Sequence, residues 1–308
     1  MSRAAVAALA GALVALGACR AEQSVGDVPG VLFGAAVTTN TSDAATQEAA
    51  LTMVEAQAGR RFDLDRIYRQ WDDPVPGARE LWTIQLGRTP IVSFKATSEA
   101  PWPAIANGDA DAKLAAIAAG YVALPAPVLC IFDQDPENTG GALGTPADYA
   151  AAYRHVVETF RTAGAANVQW IFNLKSPSFP DLADLYYPGD DVIDWLGTSA
   201  YNFGVGDGGR WVSFADLIAD FVAWATPHGK PLIVTEWASD EDPGDPDRKA
   251  TWIADAAVTV HATPKLRAMS AFWSLLDGTR FDTSLAALDA FRVFAADPYT
   301  NLRAADGP

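Results

Sequence analysis

The stretch Gly229 to Ser239, GKPLIVTEWAS, runs from a Gly-Lys-Pro turn into apolar Leu232–Val234 and ends on Thr235, Glu236 and Trp237. A run that is apolar along its length predicts a strand buried on both faces, as in a parallel sheet. A carboxylate at the C-terminal end of such a strand stands where α/β folds gather their reactive groups. Alone, Glu236 is equally compatible with a salt bridge, so the other strand ends decide what it could do. They offer Phe94 and Lys95, then Asp133, Gln134, Asp135, Glu137 and Asn138, then Asn173 and Lys175, then Tyr201 and Asn202, and finally Trp273. These are carboxylates, amides and aromatics, a mixture that suits carbohydrate. The indoles of Trp237 and Trp273 could stack on the C–H faces of pyranose rings, while Gln134 and Asn173 hydrogen-bond hydroxyls. Two carboxylates flanking a glycosidic bond can hydrolyse it, one protonating the leaving oxygen and the other attacking the anomeric carbon. The acids after the fourth and seventh strands are placed to face each other across a sugar.

The elements that must position these residues are legible as an alternation. Short apolar runs predict strands at Leu32–Val37, Leu64–Tyr68, Ile91–Phe94, Val128–Phe132, Val168–Asn173, Trp195–Tyr201, Leu232–Glu236 and Ala271–Leu275. Between them, helical patterns cover Asp43–Ala58, Gly77–Leu86, Asp111–Ala119, Pro146–Ala163, Asp181–Leu185, Phe214–Ala225, Pro246–Ala262 and Ser284–Ala295. Thr145-Pro146 and Ser213 are start signals, and Gly164 and Gly229 mark ends. Eight strand–helix pairs predict a single-domain α/β protein, a (β/α)8 TIM barrel. A doubly wound sheet would announce a Gly-rich phosphate turn after its first strand. Here that strand runs into Thr38-Thr39-Asn40-Thr41. The longer interval Ala96–Asp109, with Trp102 and two prolines, is a candidate lid or cleft wall, and Asp240-Glu241-Asp242 a solvated loop at the rim.

The chain has 308 residues, half of them hydrophobic, and a formal net charge of -16. That balance argues against nucleic acid and anionic lipid surfaces, which need cationic patches, and is compatible with a neutral substrate. His155, His228 and His261 are scattered, so no metal site is expected among them. Alternating Asp133, Asp135 and Glu137 invite a calcium reading, but an EF-hand loop needs Gly sixth and Glu twelfth, where Asn138 and Gly144 stand. No cofactor is called for. Arg3, the apolar stretch Ala4–Leu16 and Leu16-Gly17-Ala18-Cys19 have the form of a lipoprotein signal, predicting a leader over 1–18, lipid on Cys19 and a tether over 19–30 before a barrel over 31–308. Ordinary cleavage near Ala18 or Ala21, giving a secreted protein, is the alternative. Cys130, inside an apolar run, is expected as a buried small hydrophobe. Nothing suggests an oligomer, so a monomer is the default.

Long ordered segments carry a resemblance. Gly59-Arg60-Arg61-Phe62 before the second strand, TPADYAAAYRHVVETFRTAGAANVQWIFN (Thr145–Asn173), YYPGDDVIDWLGTSAYNF (Tyr186–Phe203) and GKPLIVTEW together resemble glycoside hydrolase family 26, best known for β-mannanases with a (β/α)8 fold and a retaining mechanism. The resemblance implies that Glu236 is the nucleophile, that Tyr201 hydrogen-bonds it, and that Trp273 floors the sugar subsite beside the cleaved bond. It also implies a β-linked polysaccharide, β-1,4-mannan by family default, as substrate. The fourth strand departs from the pattern: the family shows His-Glu there, the Glu being the acid/base, whereas this chain has Gln134-Asp135. Asp135 is the positional match, flanked by Asp133 and Glu137. Its carboxyl is set back by about 1.5 Å, roughly one C–C bond. The departure leaves three outcomes: a working Asp135, a substitute such as Glu137, or an impaired, sugar-binding barrel.

Overall fold

The apolar runs form eight parallel strands: β1 (Leu32–Thr38), β2 (Leu64–Arg69), β3 (Thr89–Phe94), β4 (Val128–Phe132), β5 (Val168–Lys175), β6 (Trp195–Asn202), β7 (Leu232–Ser239) and β8 (Leu266–Ser274). Each pairs with the next and β8 returns to β1, closing the barrel. The computed structural model describes residues 30–302 apart from 140, 180, 205–207 and 276–277. The expected leader, Cys19 and nearly all of the tether lie outside the described residues.

The helices are α1 (Ala44–Ala58), α2 (Ala78–Gln85), α3 (Trp102–Ala106), α4 (Asp111–Val122), α5 (Pro146–Thr162), α6 (Ala183–Tyr186), α7 (Phe214–Ala225), α8 (Arg248–Ala262) and α9 (Leu285–Ala296). Their starts follow local chemistry. Asp43 caps α1 by accepting from Thr46 N at 2.9 Å, and Thr145 and Asp148 exchange hydrogen bonds in a capping box at α5. Two elements differ from expectation. β8 begins at Leu266 rather than Ala271, because Arg267 interrupts the apolar run while its neighbours Leu266 and Ala268 stay buried. The interval around Trp102, expected as a lid or cleft wall, forms α3, and Trp102 is fully buried against Tyr149 and Tyr186.

Side chains alternate between the barrel's inside and the helix layer. Leu64, Ile91, Leu129, Ile131, Ile171, Trp195, Ile233 and Ala268 make one apolar cluster of their own, the filled floor of the lumen. Further along the strands the same face turns polar, with buried Arg66, Ser93, Asn173, Ser199, Thr235 and Ser270. Outward residues join the larger core under the helices. Cys130 belongs there, fully buried, and burial pushes its thiol pKa up. Close approach fixes two glycines. A Cβ on Gly34 would lie 2.2 Å from the Leu64 carbonyl oxygen, and one on Gly197 would lie 2.7 Å from Ile171 Cγ2 and 3.0 Å from Asn173 Oδ1.

Candidate active site

The nucleophile candidate owes its position to an irregularity. The register of β7 slips against both β6 and β8 around Thr235 and Glu236. An extra residue in a strand lets two consecutive side chains share a face. Thr235 and Glu236 therefore both enter the lumen, and Trp237 turns outward. Glu236, 3% exposed, accepts from Tyr201 Oη at 2.5 Å on Oε2 and from Tyr68 Oη at 2.6 Å on Oε1. Gln134 Nε2 donates to the same Oε1 at 2.6 Å. Arg66, fully buried over the Tyr68 ring, reaches within 3.6 Å of Oε1 and donates to Gln134 Oε1. A buried carboxylate is tolerable only with such partners.

The fourth strand delivers the second acid on an unusual backbone. Asp133 and Asp135 both have left-handed φ, 52° and 49°, a conformation that Asp visits more readily than most residues. Asp133 is locked by Trp102 Nε1, which donates to its Oδ2 at 2.5 Å, and by its own N–H on the Phe94 carbonyl. Tyr149 and Tyr153 of α5 donate to the carbonyls of Phe132 and Ile171, tying the helix to the end of β4 and the middle of β5. On this frame Asp135 Oδ1 accepts from Asn173 Nδ2 at 2.8 Å and Ser199 Oγ at 3.2 Å. Gln134 Nε2 lies 3.4 Å from Asp135 Oδ2. One amide nitrogen thus bridges the two carboxylates, whose nearest oxygens can be no farther apart than those two contacts laid end to end. Burial pushes the Asp135 carboxyl up to about 7, helped by the negative charges of Glu236 and Glu137.

The sites expected from sequence divide clearly. Glu236, Asp135, Gln134, Asn173 and Tyr201 come together. Asp133 and Glu137 do not oppose Glu236: Asp133 is held by Trp102, and Glu137 accepts from Lys175 N at 2.8 Å and Ser178 Oγ at 2.7 Å. Trp237 and Trp273 must be corrected. Both are fully buried, Trp237 packed on Trp252 and Phe281 and Trp273 on Phe281 and Phe291. The slip in β7 turns Trp237, and strand parity turns Trp273, into the helix layer, where no sugar can stack. The neighbour Phe272, half-buried, meets Tyr201 edge-on at 5.5 Å, and Phe203, 42% exposed, stacks on Tyr201 at 5.2 Å. The rim acids are also more engaged than a solvated loop: Asp242 pairs with Arg248 at 2.6 Å, and Thr283 Oγ1 donates to Glu241.

The site also contains Arg66, Tyr68, Ser199, Thr235 and Phe272, none of them among the residues expected from the sequence. The signal for the first two was present, since Leu64, Arg66 and Tyr68 share one face of β2. A cavity of about 330 Å³ opens beside Arg66 and Tyr68, walled by Thr38 at the end of β1 and by Thr39, Asn40 and Thr41 beyond it. Among the described residues no cluster of His, Cys, Asp and Glu could hold a metal ion.

A closed (β/α)8 barrel with two carboxylates bridged at its C-terminal mouth has the form of a TIM-barrel glycoside hydrolase. No protein-family model matches the chain. It is 28% identical over 290 residues to endoglucanase H of Acetivibrio thermocellus, covering 88% of this chain and 31% of that protein; the chain spans about a third of that curated relative's length. The resemblance to glycoside hydrolase family 26 extends to the fold. The family 26 endo-β-1,4-mannanase of Cellulomonas fimi superposes with a TM-score of 0.64 at 20% identity, over 94% of this chain and 74% of that one. The catalytic domain of the Bacillus sp. JAMB-750 family 26 mannanase does so with a TM-score of 0.66 at 17% identity, over 90% and 88%.

Proposed function

We propose that the chain is a family 26-type glycoside hydrolase cleaving a β-linked glycan with retention, β-1,4-mannan being the first substrate to try. The observation that carries this reading is the Gln134 amide lying 2.6 Å from Glu236 and 3.4 Å from Asp135. That bound on the carboxylate oxygens falls below the ~6.5 Å at which inverting enzymes begin to leave room for a water. Glu236 attacks the anomeric carbon while Asp135 gives its proton to the departing glycosidic oxygen, leaving a glycosyl ester on Glu236 and a carboxylate on Asp135. That carboxylate then takes a proton from water as the water attacks the anomeric carbon, releasing Glu236 and re-protonating Asp135. Tyr68 and Tyr201 hold Glu236 from two sides, and Phe272 with Phe203 supplies the apolar surface against the ring.

The test is turnover of a β-mannan, β-glucan and β-xylan panel and of an activated aryl glycoside. Glu236→Ala should abolish all hydrolysis. Asp135→Ala should cost about 10²- to 10⁴-fold on polysaccharide and much less on the aryl glycoside, whose leaving group needs little proton assistance. Tight oligosaccharide binding without turnover of any substrate would replace this reading with a sugar-binding barrel. We also propose export with a lipid anchor on Cys19, motivated by the leader pattern; Cys19→Ser should release the protein from membranes, and unchanged association would defeat it.

A further inference from the structure

Asn173 does not itself face Glu236, yet it donates to Asp135 Oδ1 at 2.8 Å. An amide can turn over, presenting oxygen instead of nitrogen. What fixes this one is the neighbour of the nucleophile: Thr235 Oγ1 lies 2.6 Å from Asn173 Oδ1, its closest partner, and 3.2 Å from the Thr198 carbonyl. Both contacts are fully buried. Ser199 Oγ completes the group, 3.4 Å from Thr235 Oγ1 and 3.2 Å from Asp135 Oδ1. Gly197 leaves the room, since a Cβ there would press on Asn173 Oδ1 and Thr235 Cγ2.

We infer that Thr235 is a positioning residue for the acid, acting through Asn173, and that it leaves Oδ2 as the proton-bearing oxygen of Asp135. The Thr235 hydroxyl donates to the Asn173 carbonyl oxygen, so the Asn173 amide nitrogen must face Asp135. Oδ1 then accepts from both Asn173 and Ser199 and has no room for a proton. Among the described residues Oδ2 meets only the long contact from Gln134, and it holds the proton that leaves with the glycosidic oxygen. Thr235 faces inward by ordinary alternation from Ile233, and the slip in β7 adds Glu236 beside it, so nucleophile and positioning residue stand consecutively on the lumen face. Among the described residues, the other titratable groups acting on Asp135 are Glu236 from β7, Glu137 from its own connection, Tyr68 from β2, Tyr149 from α5 and Tyr201 from β6, and the charged Arg66 of β2 is linked to it through Gln134.

This inference rests on the proposed hydrolase, and its tests separate the two. Thr235→Val removes the donor at nearly constant volume, and Thr235→Ser keeps it. The Asp135 carboxyl, followed by ¹³C NMR and assigned by its loss in Asp135→Asn, should titrate at least half a pH unit higher in Thr235→Val, because the charged form loses a reliable donor. It should return to the wild-type midpoint in Thr235→Ser. An unmoved midpoint in folded Thr235→Val overturns the inference whether or not the protein turns over glycans. In turnover, kcat/KM of Thr235→Val should fall about tenfold more on an oligosaccharide than on the activated aryl glycoside, and its alkaline limb should move up in pH. Equal losses on both substrates, with the limb unmoved, would show a purely structural residue.

Discussion

Burial raises the Asp135 carboxyl to about 7 and that of Asp133 to about 6, and the two acids answer pH in different measurements. In the proposed reaction Asp135 must be protonated to release the leaving group, so kcat/KM on a polysaccharide is expected to fall as pH rises through about 7. Asp133 takes no part in the proposed turnover but, like Asp135, ties stability to pH. Its folded pKa lies above its unfolded one, so the native state binds more protons between about 4 and 6. The stability this gives is present in full below pH 4 and lost as pH rises through 6. Asp133→Asn should therefore flatten that part of the Tm-against-pH curve; a slope identical to wild type would refute it. A second comparison settles the aromatic reassignment. Trp273→Ala should destabilise by about 3–5 kcal/mol with little change in KM, whereas Phe272→Ala should raise KM several-fold with a small change in Tm. Glu236, Asp135, Gln134, Asn173 and Tyr201 were readable because they end or follow apolar runs. Trp237 and Trp273 misled because an indole beside an acid suggests a sugar platform, and which face it takes depends on register, which composition does not carry.

At the scale of elements, the strands were legible because a barrel strand is apolar on both faces, and Val128–Phe132 was located to the residue. β8 was truncated because Arg267 breaks the run, and the slip in β7 was invisible because GKPLIVTEW reads as an ordinary strand until its partners are known. The lumen side of β2 was available by parity but carries its polar residues inside the strand, away from the end where reactive groups are sought. Gly197 is the sharpest element-level test. A Cβ there would lie 2.7 Å from Ile171 Cγ2 and 3.0 Å from Asn173 Oδ1. Gly197→Ala should cost about 1–3 kcal/mol by overpacking and lower polysaccharide turnover by displacing Asn173. Wild-type stability and rate in that variant would mean that β6 yields more easily than its packing suggests.

The molecule as a whole carries a formal net charge of -16, a field that neither repels nor attracts a neutral glycan. Turnover of neutral β-glycans should therefore change little between low and high salt, while carboxylated glycans should be poor substrates that improve as salt screens repulsion. A strong salt dependence with neutral substrate would contradict this. Beneath the charged mouth, Leu64, Ile91, Leu129, Ile171, Trp195 and Ile233 fill the cylinder from wall to wall. The interior of the cylinder is thus closed to a polymer. A glycan cleaved as proposed would be held at the mouth, like a rope over a basin, and its severed ends would leave on the side from which they came; passage down through the barrel is barred by the plug itself.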